Sequence, residues 1–253
     1  MIWEQLREAA IKAGLEPVLR PIVDKLRGRS PAEDDDLAFA LIARLAPDAT
    51  CVDIGCNKGI FLDQMRRAAP NGRFFAFEPV PSLYEVLKSK YGSDARVKVF
   101  NTALSSTCGT ATFFVNKRDP ALSGLSNRPG VARMEPERLE KITVPASTLD
   151  ALLGDQHVDF VKIDVEGAEF NVLQGARQLI TRSRPVILFE FGLGGADFFG
   201  VDAAKMFDLL SSFDYAVYTV PDYVHGLEAL SLVNFTNHFN LNSKYNFVAA
   251  PRS

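Results

Sequence analysis

Cysteine is scarce in this chain of 253 residues, with three, at positions 51, 56 and 108. An odd, sparse set makes no disulfide framework, and no Cys-x-x-Cys pair offers a zinc site. Cys51, Cys56 and Cys108 read as small semi-buried side chains of a reducing compartment. A catalytic thiol at Cys56 would need a histidine nearby, and the sequence places none there. Long apolar runs are also missing. The most apolar stretch, 186–201, is interrupted by Glu190, Asp197 and four glycines, so nothing approaches the ~18 residues of a membrane span. The first residues, MIWEQLREAAIKAG, carry Glu4, Arg7, Glu8 and Lys12 and lack the uninterrupted apolar core of a signal peptide. The expectation is a cytoplasmic protein. Nor is there an excess of one charge: 28 Lys and Arg stand against 31 Asp and Glu, a net of −3. Phosphate backbones are held by clustered basic residues, so nucleic acid is not an expected partner.

What is present suits a folded chain. Apolar residues make up 47% and charged residues 23%, with a mean hydropathy of +0.02, which excludes disorder. Residues 1–30 have a helical period. Ile2, Leu6, Ala9 and Ala13 share a face, Leu15, Leu19, Ile22, Val23 and Leu26 continue it, and Pro17 and Pro21 break it. This prefix, taken as 1–32, is expected either to pack on the main domain or to serve as a lid or the arm of a homo-oligomer. Glu33 to Asp36 form an acidic run before Leu37, Leu41, Ile42 and Leu45. Acids at a helix start complement its dipole.

From residue 49 strands and helices alternate. Strands are expected at 50–55, 73–77, 97–103, 158–164, 185–191, 215–220 and 245–250. Helices are expected at 58–69, 81–91, 168–180 and 202–213. That alternation predicts an α/β fold with a doubly wound, mostly parallel sheet. One further strand is expected at 109–116. Residues 117–141 then break the pattern with three prolines, and carry six basic against four acidic residues. An insertion of this kind is a lid, a binding loop or a disordered segment. The domain is therefore read as 33–253 with the insertion inside it.

In an open α/β sheet, ligands sit beyond the carboxyl ends of the strands. The first strand ends Val52-Asp53-Ile54-Gly55-Cys56-Asn57-Lys58-Gly59. A dinucleotide fingerprint would need glycines at 55, 57 and 60, and the chain has Gly55, Asn57 and Ile60, which speaks against a nicotinamide dehydrogenase. A phosphate-binding loop is absent too. What remains is an acid at the strand end, two glycines four apart and a helix start. Asp53 can attract an ammonium, and the amides near Lys58 and Gly59 can take a carboxylate. Glu78, at the end of the second strand, can accept hydrogen bonds from two ribose hydroxyls. A ligand with a ribose, an ammonium and a carboxylate describes S-adenosylmethionine.

A second group of acids lies at the ends of later strands. Asp164 and Glu166 are two residues apart, which puts them on one face of an extended backbone. Glu190 closes the next strand and is expected at the same edge. Carboxylates in such apolar surroundings are costly unless paired. They can act as proton acceptors, or take a divalent metal through oxygen. Glu169 reads as a helix-start acid. His157 falls before a strand, on the wrong side for chemistry. His225 and His238 lie in an asparagine-rich segment after a later strand, expected to be a loop that either binds a hydroxylated substrate or merely covers the surface.

These motifs also resemble a known family. The segments VDIGCNKG at 52–59, AFEPVP at 76–81, TALS at 102–105, VPASTLDALL at 144–153, VDFVKIDVEGAEFNVLQGA at 158–176, ILFEFG at 187–192 and YNFVAAP at 245–251 are similar to the FkbM-type methyltransferases over about 200 residues in the same order. The resemblance implies a class I fold, a seven-stranded sheet with its last strand antiparallel. It also implies S-adenosylmethionine as cofactor and O-methylation of a sugar or polyketide-type acceptor, while the mildly basic 117–141 insertion suggests a phosphorylated acceptor such as a nucleotide sugar. By the same resemblance Asp53, Gly55, Asn57 and Gly59 form the cofactor turn and Glu78 the ribose acid. Asp164 and Glu166 form the acidic motif beside the reacting centre, with Glu190 a further candidate base. An N-methyltransferase acting on protein or nucleic acid, and a cofactor-binding module without chemistry, are the competing classes. The loop DVEG lacks the Asn/Asp-Pro-Pro-aromatic pattern of many amino-group methylators.

Overall fold

The computed structural model describes residues 31–116, 124 and 139–252. The helical reading of residues 1–30 and most of the 117–141 insertion lie outside the described residues. The described residues open with α1 (Pro31–Ile42), whose first turns hold the acidic run. There follow β1 (Thr50–Ile54), α2 (Ile60–Ala68), β2 (Arg73–Phe77), α3 (Pro81–Tyr91) and β3 (Val97–Phe100). The second half supplies α4 (Leu149–Leu153), β7 (Phe160–Ile163), α5 (Glu169–Gln174), α6 (Arg177–Ser183), β8 (Val186–Glu190), α7 (Ala203–Ser212), β9 (Tyr215–Thr219), α8 (Val220–His225), α9 (Leu232–Leu241) and β10 (Asn246–Pro251). Between the halves lie β4 (Ala103–Leu104), β5 (Gly109–Asn116) and β6 (Leu139–Ser147).

Seven strands form one sheet in the order β3-β2-β1-β7-β8-β10-β9. All neighbours are parallel except β10, which runs antiparallel to both β8 and β9. Strand order reverses between β1 and β7, and that is where an open sheet leaves a crevice. Alternation along each strand divides the apolar side chains between two layers. Val52, Ile54, Val161, Ile163, Ile187 and Phe189 face α4 to α7 and α9. Cys51, Phe74, Ala76, Phe160, Leu188 and Val248 face α1, α2, α3 and α8. Each fully buried Leu or Met on these helices, such as Leu62 and Met65 on α2, contributes about 1.5–3 kcal/mol by leaving water.

Four local readings need correction. The third strand does not run through to residue 103. It ends at Phe100, and Ala103–Leu104 pairs instead with β6 in a separate three-stranded sheet, β4-β6-β5. In that sheet β5 and β6 form an antiparallel pair from Gly109–Ala146 to Asn116–Leu139, with Phe113 and Val144 in its own small core.

The helix expected at 168–180 is two helices. A Cβ on Gly175 would lie 2.1 Å from the Ser105 carbonyl oxygen, and the Asp150 carboxylate caps α6 by accepting the N–H groups of Gln178 and Leu179. The asparagine-rich loop holding His225 and His238 is mostly helical. Ser231 caps α9 by accepting the Asn234 N–H, and Phe235 and Phe239, one turn apart, are buried. Finally, Cys108 is exposed, whereas Cys51 and Cys56 are buried. Burial pushes the Cys51 thiol up to about 12 and raises that of Cys56 well above the usual range, so neither is a ready nucleophile.

Candidate active site

The turn after β1 is shaped by three left-handed residues, Gly55 (φ 75°), Asn57 (φ 49°) and Gly59 (φ 79°). At Gly55 the requirement is steric as well as conformational. A Cβ there would lie 1.8 Å from the carbonyl oxygen of Asp164, so only glycine lets β1 and β7 meet at the crevice. The Gly55 and Cys56 N–H groups both donate to the Phe77 carbonyl, at 3.0 and 3.1 Å. Glu78 completes the turn. Its Oε2 accepts the Asn57 N–H and its Oε1 the Val80 N–H, both at 2.9 Å. Burial raises the Glu78 carboxyl, against the lowering effect of those two amides. Tyr91 closes the back of the turn, its hydroxyl donating to the Gly59 carbonyl or to Asp63 at 2.9 Å.

Asp53 does face an ammonium, but one supplied by the protein. It is fully buried, and Lys162 Nζ lies 3.6 Å from its Oδ1. Neither carboxylate oxygen has a partner within 3.5 Å. Burial raises its carboxyl, with Lys162 opposing. The two residues are register partners on β1 and β7. Lys162 donates to the Gly55 carbonyl at 3.0 Å, lies 3.3 Å from Asp164 Oδ2, and sits 5.1 Å from the Phe61 ring centre. Burial opposes its charge, yet Asp164 and Asp53 hold the ammonium more firmly protonated than usual.

On the β7–β8 side, Ile163 pairs with Phe189, so Asp164 and Glu190 follow as neighbours, ~5 Å apart along the sheet. Burial first, then the charges of Asp164, Glu166 and Glu169, raise Glu190 well above the usual carboxyl range. A like charge beside a carboxyl disfavours its ionised form, and Asp164 is that neighbour of Glu190. Both line a solvent-open recess of about 320 Å³ with Phe61, Lys162, Leu188 and Asn246.

Glu166 does not share a strand face with Asp164 as its spacing suggested. The strand stops at Ile163 and Glu166 has φ 62°, so the alternation does not reach it. Glu169 folds back onto the same loop, its Oε1 accepting the N–H groups of Val165 (3.1 Å) and Gly167 (3.0 Å). Burial lifts its carboxyl to about 7.

The histidines fall elsewhere. His157 is exposed against Asp159, at 3.1 Å. His225 ends α8, exposed, with Nδ1 2.8 Å from the Pro221 carbonyl. His238 is half-buried on α9, its Nδ1 2.7 Å from Ser243 Oγ, and burial lowers its pKa. Neither His225 nor His238 lines the recess. Sequence reasoning missed Lys162 and Asn246. A lysine inside an apolar strand was the available signal for the first, and the pairing of Asn246 with Glu190 across β10 and β8 was invisible in one dimension.

The acids do not fit a divalent cation. The Asp164 carboxylate is already engaged by Lys162 at 3.3 Å. Among the described residues no three or more His, Cys, Asp or Glu side chains are grouped to hold a metal. S-adenosylmethionine does fit. The Gly55–Gly59 turn brings backbone to the crevice without a Cβ at either glycine, and Glu78 stands at the adjacent strand end.

This sheet order, with its antiparallel penultimate strand, a glycine turn after the first strand and an acid ending the second, defines the class I methyltransferase fold. Residues 53–217 match the model of the methyltransferase FkbM domain, and the chain belongs to that family. Among its relatives are a 2-O-methyltransferase, NoeI, of Sinorhizobium fredii, 28% identical over 54% of this chain and 61% of its own. Another is the methyltransferase sdnD of Sordaria araneosa, 30% identical over 53% of this chain and 62% of its own. The matched regions thus span about three fifths of these curated relatives. A crystal structure of methyltransferase FkbM from Methylobacillus flagellatus superposes with a TM-score of 0.51 at 16% identity, covering 82% of this chain and 44% of that one. It shares the fold. No helix among the described residues is long and apolar enough to cross a membrane.

Proposed function

We propose that the chain methylates a hydroxyl oxygen of a small polyhydroxylated or polyketide-type acceptor, with S-adenosylmethionine as donor. The observation that carries this reading is the Asp164–Glu190 carboxyl pair, facing a recess beside the β1 turn. A hydroxyl is a weak nucleophile and must lose its proton as it reacts. Asp164, partly exposed at the recess, is the group that takes it. Glu166, on the adjoining loop, is a second acid beside the same pair.

The Gly55–Gly59 turn, with Asn57 and Asp53 behind it, holds the amino-acid end of the cofactor. Glu78 receives the ribose hydroxyls on the lone pairs that its two backbone amides leave open. When bound, the cofactor supplies an electrophilic methyl carbon on a sulfonium. The protein contributes alignment, since much of the acceleration of such a displacement comes from orientation.

The recess sets two acids, Asp164 and Glu190, against Lys162, and Asn246 adds an amide. Together with the aromatic Phe61, this lining favours a neutral polyol over a phosphorylated nucleotide sugar. That a relative is named a 2-O-methyltransferase supports oxygen as the accepting atom. The reading is tested by calorimetric titration with S-adenosylmethionine, followed by transfer of a labelled methyl group to a panel of sugars, nucleotide sugars, phenols and amines. Binding with label on neutral hydroxylated acceptors is expected. Label confined to amines, or no cofactor binding, would overturn it.

A further inference from the structure

Two carboxyl groups at one recess, Asp164 and Glu190, are equivalent until something distinguishes them. The candidate is Lys162. The residue is 5% exposed. Its ammonium donates to the Gly55 carbonyl at 3.0 Å and lies 3.3 Å from Asp164 Oδ2 and 3.6 Å from Asp53 Oδ1. It is thus joined to the glycine turn and to Asp164 together, while the Phe61 ring covers it at 5.1 Å. Glu190 ends the next strand and lines the same recess, while the ion pairs of Lys162 run to Asp53 and Asp164. The charged groups acting most strongly on it are Asp164, Glu166 and Glu169, all acidic. Its partner across the sheet is the neutral Asn246.

We infer that Asp164 and Glu190, neighbours at one recess, share one proton, and that Lys162 is a positioning residue which makes the pair unequal, holding Asp164 as the proton-accepting carboxylate and leaving the proton on Glu190. This rests on the reading of the recess as the acceptor site, and it adds which carboxyl does the work and why. An ammonium favours the charged form of the carboxyl it touches, and a like charge disfavours that of the other. The same ammonium grips the Gly55 carbonyl, so the proton acceptor and the turn at the crevice are fixed to one point.

Infrared spectroscopy with side-chain carboxyl groups labelled in either aspartate or glutamate reads the proton directly. The difference between the parent protein and Glu190→Gln at neutral pH should contain one protonated-carboxyl band. That band should move with the glutamate label and not with the aspartate label. Lys162→Met alone leaves Asp53 buried without its cation and can fail to fold, so Lys162→Met is combined with Asp53→Asn. In the double variant an aspartate-labelled protonated band should appear, and adding Asp164→Asn should remove it. A parent band that follows aspartate, or a double variant whose bands match the parent's, would overturn the inference.

Titration with S-adenosylhomocysteine separates this from the functional reading. The double variant should bind more weakly than the parent, because Asp53 and Lys162 both back the cofactor turn, while its carboxyl bands still move as stated. Loss of binding with unmoved bands would make Lys162 a support of the cofactor turn and sink the inference. Failure of the parent itself to bind would refute the methyltransferase reading and leave the band assignment standing.

Discussion

The two halves of the sheet each end in acids, and they are placed in opposite ways. On the β1–β2 side, Glu78 is buried and held by main chain, its two oxygens receiving the Asn57 and Val80 amides. On the β7–β8 side, Asp164 and Glu190 are part-exposed neighbours at one recess, with Lys162 on one of them. A carboxylate anchored by backbone is fixed in place and suits holding a ligand. A carboxyl pair is bistable in where its proton lies and suits moving one. Charge alone would not separate these roles, because both Glu78 and Glu190 are raised by burial.

The halves meet at Gly55, and Gly55→Ala is the sharpest way to drive them apart. The new Cβ would sit 1.8 Å from the Asp164 carbonyl oxygen at φ 75°. Neither backbone is free to move, since Gly55 donates to Phe77 and Asp164 to Ile54. Left-handed strain and overpacking together should cost roughly 3 kcal/mol or more, read as a lowered midpoint in denaturant. A midpoint equal to the parent's would mean the strands do not approach as described.

Glu169 tests the proton-handling half by pH. Its carboxyl rises from 4.5 to about 7 in the fold, so the folded state prefers it protonated. The stability this confers is complete below 4.5 and is lost as pH rises through about 7, to a total of order 3 kcal/mol. Glu169→Gln keeps an oxygen for the Val165 and Gly167 amides and removes the titration. Thermal midpoints should fall from pH 5 to pH 7.5 in the parent and fall less in the variant. Parallel curves would remove Glu169 from the account.

Glu78→Gln tests the holding half. Cofactor affinity by calorimetry should weaken by about tenfold, the loss of one charge-assisted hydrogen bond. Unchanged affinity would show that Glu78 shapes the turn without touching the ligand. The smallest effect is expected at His225, which is exposed and away from the recess. His225→Gln should leave kcat/KM within about twofold of the parent, and a larger loss would place α8 in acceptor binding.

How far the sequence carries follows from the same contrast. The turn at 53–59 was legible because its requirements are local, an acid and glycines at fixed spacing followed by a helix start. Glu78 was legible because strand ends share an edge. Lys162 was not, because its partner Asp53 is 109 residues away, and alternation gives no sign of a buried cation. Strand β6 went unread although Ile142, Val144 and Ala146 alternate correctly. Pro145 argued against a strand, yet it is tolerated there, exposed, where β4 pairs only with the two residues after it. Phe235 and Phe239 carried the helical period of α9 beneath a surface rich in asparagine.

The central claim is that Asp164 takes the acceptor's proton at a site whose cofactor half is independent of it. The most direct measurement is a paired one on Asp164→Asn: S-adenosylhomocysteine affinity by calorimetry, and labelled methyl transfer to an acceptor from the tested panel. The account predicts affinity within about threefold of the parent and transfer slower by roughly 10²–10⁴. Transfer at the parent rate would contradict it.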